Sequence, residues 1–323
     1  MRAYEIIVSD QTSGKVIRTF SSFKKPGVTS SGANPGALNV EFDIPTFRQA
    51  QPAGNATLKV WGIALGEISQ AANYNGRTIT IWGGMAKGLP LANPRQYGIL
   101  LTGTINQCFG NWQDTNQTLD FVITVLTSGD NGQSNLSGTW RKGQTLGSEA
   151  ANTLLNIFKN TTITDNTSAK VILTADEPYA YQNITQFSQI LNETSIFAMG
   201  NNPNYQGINI ALKDKEIVLY DGTRKTPSRA IQFIDLIGQP TWHSLYTVQF
   251  KCVLRFDLNV GDYISLPEGQ QNLQAKVQSQ FKNVCSFFGD MQISSVRHIG
   301  NFRQPSGDNW VSVIEAYTED VPG

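Results

Sequence analysis

The sequence predicts a mainly β protein with a small α+β unit inserted in its middle third. Apolar residues alternate with polar ones over many short runs, and glycine-bearing connections separate those runs. Helical spacing is confined to the stretch between Thr145 and Leu191.

Taken in order, Tyr4–Val8 and Val16–Phe20 read as a hairpin turning at Ser13-Gly14-Lys15. Lys24–Gly36 is rich in Gly, Ser and Pro and reads as a mobile loop, an arm expected to order on assembly. Leu38–Pro45 alternates cleanly, with Leu38, Val40, Phe42 and Ile44 on one face and Asn39, Glu41 and Asp43 on the other. The best-patterned stretch follows, from Thr57 to Leu126. Thr57–Trp61, Arg77–Trp82, Ile99–Ile105 and Thr118–Val125 form a meander of strands, with Asn75-Gly76 and Gly83-Gly84 as expected turn residues.

Ser128–Asn135 is polar and glycine-bearing, which marks a domain boundary. Beyond it come two helical stripes. Leu146, Ala150, Leu154, Ile157 and Phe158 form the first, with Thr145 as N-cap; Ile184, Phe187, Ile190 and Leu191 form the second, starting beside Asn183 and Thr185. Lys170–Leu173, Gly207–Leu212 and Glu216–Tyr220 are the insert's expected strands. Past Gly222 the β pattern returns at Ile231–Ile234, Thr247–Leu254 and Gly261–Pro267. Gly289–Gly300 and Trp310–Tyr317 close the chain as a hairpin-like pair. The expected divisions are residues 1–127, 128–222 and 223–323; no repeat of fixed period relates the outer two, so their kinship is architectural.

Charged residues make up 15% of the chain, against roughly 25% in ordinary soluble domains, so the surface is largely uncharged and polar. Such a surface suits strands whose edges are covered by neighbouring copies. Lys and Arg (25) balance Asp and Glu (25), which leaves no global field to hold nucleic acid or an anionic membrane. No apolar run approaches the roughly 20 residues of a membrane span, and Met1–Val8 reads as a strand rather than a signal peptide. No stable membrane association is expected. Cys108, Cys252 and Cys285 are odd in number and lack CxxC spacing, which fits buried thiols in a reducing compartment.

Motifs for chemistry are absent. Gly83–Gly88 has phosphate-loop glycine spacing but lacks the Lys-Ser/Thr that follows and runs into Leu89-Pro90. The zinc-protease, nucleophile-elbow and dinucleotide patterns do not occur. His243 and His298 read as strand residues bonded locally. Asp176-Glu177 and Glu319-Asp320 could in principle serve glycoside hydrolysis, but acids are ordinary on solvated turns. The tryptophans Trp61, Trp82, Trp112, Trp140, Trp242 and Trp310 are spread over the whole chain, so core or interface packing explains them as well as a sugar platform does. No catalytic, cofactor-binding or metal-ligating residue, and no cofactor, is expected.

Three runs in order carry a resemblance: Leu58–Ile63 with its short helical turn to Ser69, Gly76–Gly84, and Ile99–Ile105. This opening is similar to the first β-domain of phage baseplate hub proteins, a family related to the hub part of type VI secretion spike proteins. Leu258–Leu266, and Ile293–Gly300 paired with Trp310–Ala316, extend the likeness to the C-terminal third. Asn301 stands where an acid commonly follows the His-x-Gly step, and Trp61-Gly62 where an Asn is common. With Gly323 following soon after the last strand, neither the fused β-helical spike nor the lysozyme domain of some relatives is expected.

The resemblance implies two tail-tube-like antiparallel β-barrel domains, 1–127 and 223–323, flanking the α+β domain 128–222. It implies a homotrimer whose six β-domains adapt a six-fold tail tube to a three-fold central spike. Implied partners are the tail tube protein, the central spike protein and other baseplate proteins, with DNA only passing through the lumen. A lumen lined by uncharged polar or acidic side chains would let DNA pass without sticking. The protein is then a non-enzymatic component of the virion tail baseplate, assembled in the host cytoplasm. The alternative is a tail-associated enzyme that degrades the cell envelope, or a sugar-binding protein, with the middle domain as its working part.

Overall fold

The computed structural model describes residues 1–47, 55–86, 96–124, 136–158, 161–202, 205–213, 216–224, 226–244, 246–267, 287 and 289–318. The N-terminal strands are β1 (Arg2–Ser9), β2 (Val16–Ser21), β3 (Val40–Phe47), β4 (Asn55–Trp61), β5 (Thr78–Met85), β6 (Tyr97–Gln113) and β7 (Asn116–Thr124), with a single helical turn, α1 (Leu65–Ile68), between β4 and β5. The insert holds β8 (Leu136–Trp140), α2 (Leu146–Ile157), β9 (Thr162–Asn166), β10 (Glu177–Tyr181), α3 (Ile184–Ala198), β11 (Asn209–Lys213) and β12 (Glu216–Tyr220). The C-terminal strands are β13 (Arg229–Ala230), β14 (Thr241–Trp242), β15 (Thr247–Val253), β16 (Tyr263–Ser265), β17 (Met291–Asn301) and β18 (Trp310–Tyr317). The fold is mainly β with an α+β insert, as the alternation requires.

The two outer strand sets form one 13-stranded sheet, with main order β14-β15-β18-β17-β3-β4-β7-β6-β5-β1-β2. Their seam is the antiparallel pairing of β3 with β17, which sets Thr46 opposite Val296, Ile44 opposite His298 and Phe42 opposite Gly300. Among the described residues the sheet is open, and closure into two separate barrels is not seen. The edge of β3 that a closed N-terminal barrel would use is taken by β17 instead.

Burial follows the period of two. Tyr4, Ile6 and Val8 of β1, Val40, Phe42 and Ile44 of β3, Leu58 and Val60 of β4 and Leu119, Phe121 and Ile123 of β7 all point into the core. At the seam the Phe42 ring lies directly over Gly300, where an added Cβ would sit 2.2 Å from a ring carbon. Glycine therefore lets Phe42 reach the Trp310 ring at 5.2 Å, edge to face. The Trp310 indole Nε1 donates to Gly84 O at 2.9 Å, which fastens β18 to β5.

In the insert, Leu146, Ala150 and Leu154 make the buried stripe of α2. Asn183 caps α3, its Oδ1 accepting from Gln186 N at 2.9 Å, while Gln186 Oε1 accepts from Gln182 N at 2.8 Å. Thr145 stands at the N-cap of α2, but its hydroxyl bonds Ser148 Oγ rather than the backbone. The β11–β12 hairpin, joined to β9 through parallel pairing of β12, is buried on both sides. Ile210, Leu212, Ile217 and Leu219 belong to the core shared with α2 and α3; Ala211, Val218 and Tyr220 belong to the core of the C-terminal strands. Among the described residues no helix is long and apolar enough to cross a membrane.

Three local expectations change, and one loop takes a defined course. Lys170–Leu173 is not a strand: it makes one bridge, Ile172 to Thr145, because its backbone is tied to the turn that leads into α2. Ile231–Ile234 gives way to a 3-10 turn over Phe233–Asp235, which carries Asp235 into the interior. Gly83 and Gly84 lie inside β5 rather than in a turn. Lys24–Gly36 is a loop, as expected, and it folds back on its own hairpin, with Lys24 N donating to Gly32 O, Asn34 N to Ser22 O and Gly27 N to Glu5 Oε2. Strands β8, β9 and β10 were not foreseen, since each is only five residues long and is rich in polar, Gly or Pro residues. The expected boundary at Ser128–Asn135 lies outside the described residues.

Gly300→Ala should lower stability by about 1–3 kcal/mol through overpacking against Phe42, read as a drop in denaturant midpoint at unchanged slope. The double variant with Phe42→Leu should recover part of that loss; full additivity of the two would show that the ring and the glycine do not share one space.

Candidate functional site: a charged junction between the three parts

After β15 the chain crosses the end of β5 and β6 as an irregular segment, Leu254 to Val260, that turns at Phe256 and Asp257. Gly98 permits this close approach, since a Cβ there would meet the Phe256 ring at 2.4 Å. Arg255 on this segment is buried and grips Asp257 with both arms of its fork, Nε to Oδ1 at 2.9 Å and Nη2 to Oδ2 at 2.7 Å. Its Nη1 lies 3.6 Å from Asp235 Oδ2, and Asp235 Oδ1 accepts from Gln96 Nε2 at 3.1 Å. Arg229 adds a second cation, 3.6 Å from Asp257 and 3.5 Å from Asp262. Burial acts to raise the Asp257 carboxyl, but the hydrogen bonds and charge of Arg255, with the charge of Arg229, outweigh it and hold Asp257 below its usual range. For Arg255 burial acts the other way and is again outweighed, mainly by Asp257.

His298, at the seam, joins this network through Ser312: its Nδ1 lies 2.8 Å from Ser312 Oγ, which also accepts from Arg255 N at 3.0 Å. Burial lowers its pKa to about 4 against the opposing charge of Asp257, so the ring is neutral at physiological pH. A cavity of about 990 Å³ opens beside these groups, with walls from the N-terminal strands (Trp82, Tyr97), the insert (Thr162, Glu216) and the C-terminal segment (Arg229, Asn259).

The sheet's other face is polar, and cations described on it are paired. Arg297 meets Asp43, Lys59 lies 3.5 Å from Asp120 and Lys251 3.1 Å from Asp308, while Asn301 donates to Glu41. Two features at the periphery are apolar and open. Edge strand β2 exposes Val16 and Ile17, and the far end of the β6–β7 hairpin exposes Phe109 and Trp112.

The residues singled out from sequence do not converge. His243 is exposed in the turn after β14, and Asp176 accepts from Lys142 N and Arg141, which makes it a turn-fixing group. Cys108 and Cys252 are buried free thiols, pushed up to about 12 by burial. Cys285, Glu319-Asp320 and the end of Gly83–Gly88 lie outside the described residues. Trp140 and Trp310 are core, Trp242 stacks on Phe287, and Trp82 alone of the six lines the cavity. Among the described residues no three His, Cys, Asp or Glu side chains are grouped to hold a metal ion. The Arg255 network was missed by sequence reasoning; Arg255-x-Asp257 is too short a signal to mark a buried pair without knowledge of what covers it.

No protein-family model and no curated protein matches the chain. Among solved structures, the tail protein of Neisseria meningitidis MC58 aligns with a TM-score of 0.52 and 8% identity, over 99% of this chain and 97% of that one. A chain of the lidless PdpA–VgrG complex, an assembly from Francisella, aligns with a TM-score of 0.50 and 7% identity over 100% of this chain and 66% of its own length. The 43 kDa tail protein of prophage MuSo2 from Shewanella oneidensis aligns over 100% of this chain and 98% of its own, with 10% identity and a TM-score of 0.49. The fold is that of the Neisseria tail protein across nearly the whole chain, insert included.

Replacing Arg255 by Met should destabilise the protein by about 3–5 kcal/mol, because Asp235 and Asp257 would remain buried without their principal cation; thermal or denaturant unfolding checks this. Because the folded pKa of His298 lies below the ordinary 6.5, the unfolded chain binds the proton first. Its contribution is complete above pH 6.5 and lost as pH falls toward about 4. The wild-type melting temperature should therefore drop more steeply across that window than that of His298→Gln.

Proposed function

We propose that the chain is a non-enzymatic hub protein of a phage-type tail, a homotrimer that adapts a six-fold tail tube to a three-fold central spike. The β3–β17 seam carries this reading. It fixes two strand sets side by side in one chain, so three copies would present six comparable β units at set spacing. Residues 1–127 and 223–323 are the tube-like units and 128–222 is the insert between them. The open ends of the sheet, β2 on one side and β14 on the other, are the edges a neighbouring copy would cover.

The tail tube protein, the central spike protein and other baseplate proteins are the proposed partners, and the virion baseplate, assembled in the host cytoplasm, is the proposed location. We place the polar face of the sheet toward the lumen. Arg297, Lys59 and Lys251 are each neutralised there by an acid, which leaves passing DNA no free cationic stripe among them.

Ile17→Lys on the exposed edge of β2 should leave monomer stability within about 0.5 kcal/mol while shifting the mass in solution from trimer to monomer. Native mass spectrometry or light scattering checks it. A wild-type chain that stays monomeric, alone and with its tail partners, would overturn the hub reading.

A further inference from the structure

We propose that the cavity between the three parts binds a short neutral saccharide. This goes beyond the hub role and does not depend on it. The cavity, about 990 Å³, is at the upper end of ordinary small-ligand sites. Its walls combine the surfaces a sugar ring needs. Trp82 and Tyr97, partly exposed, line it with rings stacked at 6.2 Å, and aromatic faces of this kind suit the C–H face of a pyranose. Around them stand short neutral hydrogen-bonding groups, Thr46, Thr162 and Asn259.

His298 adds a polar ring to the wall. Its Nδ1 lies 2.8 Å from Ser312 Oγ, and a sugar hydroxyl, which both donates and accepts, suits an imidazole in either tautomer.

Charge narrows the ligand class further. Glu216 and Asp257 on the wall are acidic, and the one wall cation among the described residues, Arg229, already lies between Asp257 and Asp262. An anionic ligand would meet net repulsion. A purely apolar ligand would strip solvent from the polar wall groups Thr46 and Thr162 without replacing its hydrogen bonds. A neutral polyhydroxylated ring suits both constraints.

The test is calorimetric titration of the full chain with tetra-N-acetylchitotetraose and, separately, maltotetraose, neutral oligosaccharides with and without the N-acetyl group. We expect saturable binding of at least one, with Kd in the range of about 10 μM to 5 mM, and a rise in melting temperature, since the ligand would touch all three parts. Preference for the first points to a cell-wall-type glycan and for the second to a hexose polysaccharide. Trp82→Ala should weaken binding at least about tenfold, while Trp82→Phe retains it. Thr162→Trp, which fills the cavity from the exposed start of β9, should abolish binding even if Trp82→Ala fails to fold. No binding of either sugar at about 10 mM, or binding that Thr162→Trp leaves unchanged, overturns the proposal.

Discussion

The pairing of β3 with β17 is the constraint on which the rest of the molecule depends. It joins residues some 250 positions apart, Thr46 with Val296 and Phe42 with Gly300, and turns two strand sets into one sheet. The insert is thereby pinned between two surfaces that are already tied to each other. The Arg255 network, the Trp310 to Gly84 bond and the His298–Ser312 pair all sit within reach of this seam. Such a seam can close only after nearly the whole chain is available, which makes folding dominated by non-local contacts and therefore slow.

Much of the sheet was legible in the sequence because the period of two needs only local information. Val40, Phe42 and Ile44 announce their common face without any partner. What they do not announce is which strand will lie beside them, so one shared sheet could not be told from two closed barrels. The same limit explains the misread glycines: Gly83 and Gly84 carry turn chemistry, yet they serve in β5, Gly83 beneath Leu100 and Leu254 and Gly84 against the Gln96 backbone. Ile231–Ile234 misled for a related reason, since the burial of Asp235 opposite Arg255 governs that backbone more than its apolar neighbours do. Of the candidate site, His298 was visible only as a residue; its role rests on Ser312 and Arg255, which the fold brings to it.

The distance in sequence between this chain and the Neisseria tail protein, 8% identity over nearly full length, has a physical basis. A one-sided sheet demands apolar residues at alternate positions and glycines where rings must approach, and many side chains meet that demand equally. Strand order and spacing persist where identities do not. Function is harder to carry across, because exposed surfaces such as the β2 edge and the β6–β7 tip are not constrained by the core.

The β11–β12 hairpin has one further consequence. Its alternate side chains are rooted in two different hydrophobic clusters, so the hairpin behaves as a rivet through the molecule rather than as a flap on its surface. One face of the hairpin is continuous with the core of the N-terminal strands and the other with that of the C-terminal strands, so displacing the insert would disturb both at once.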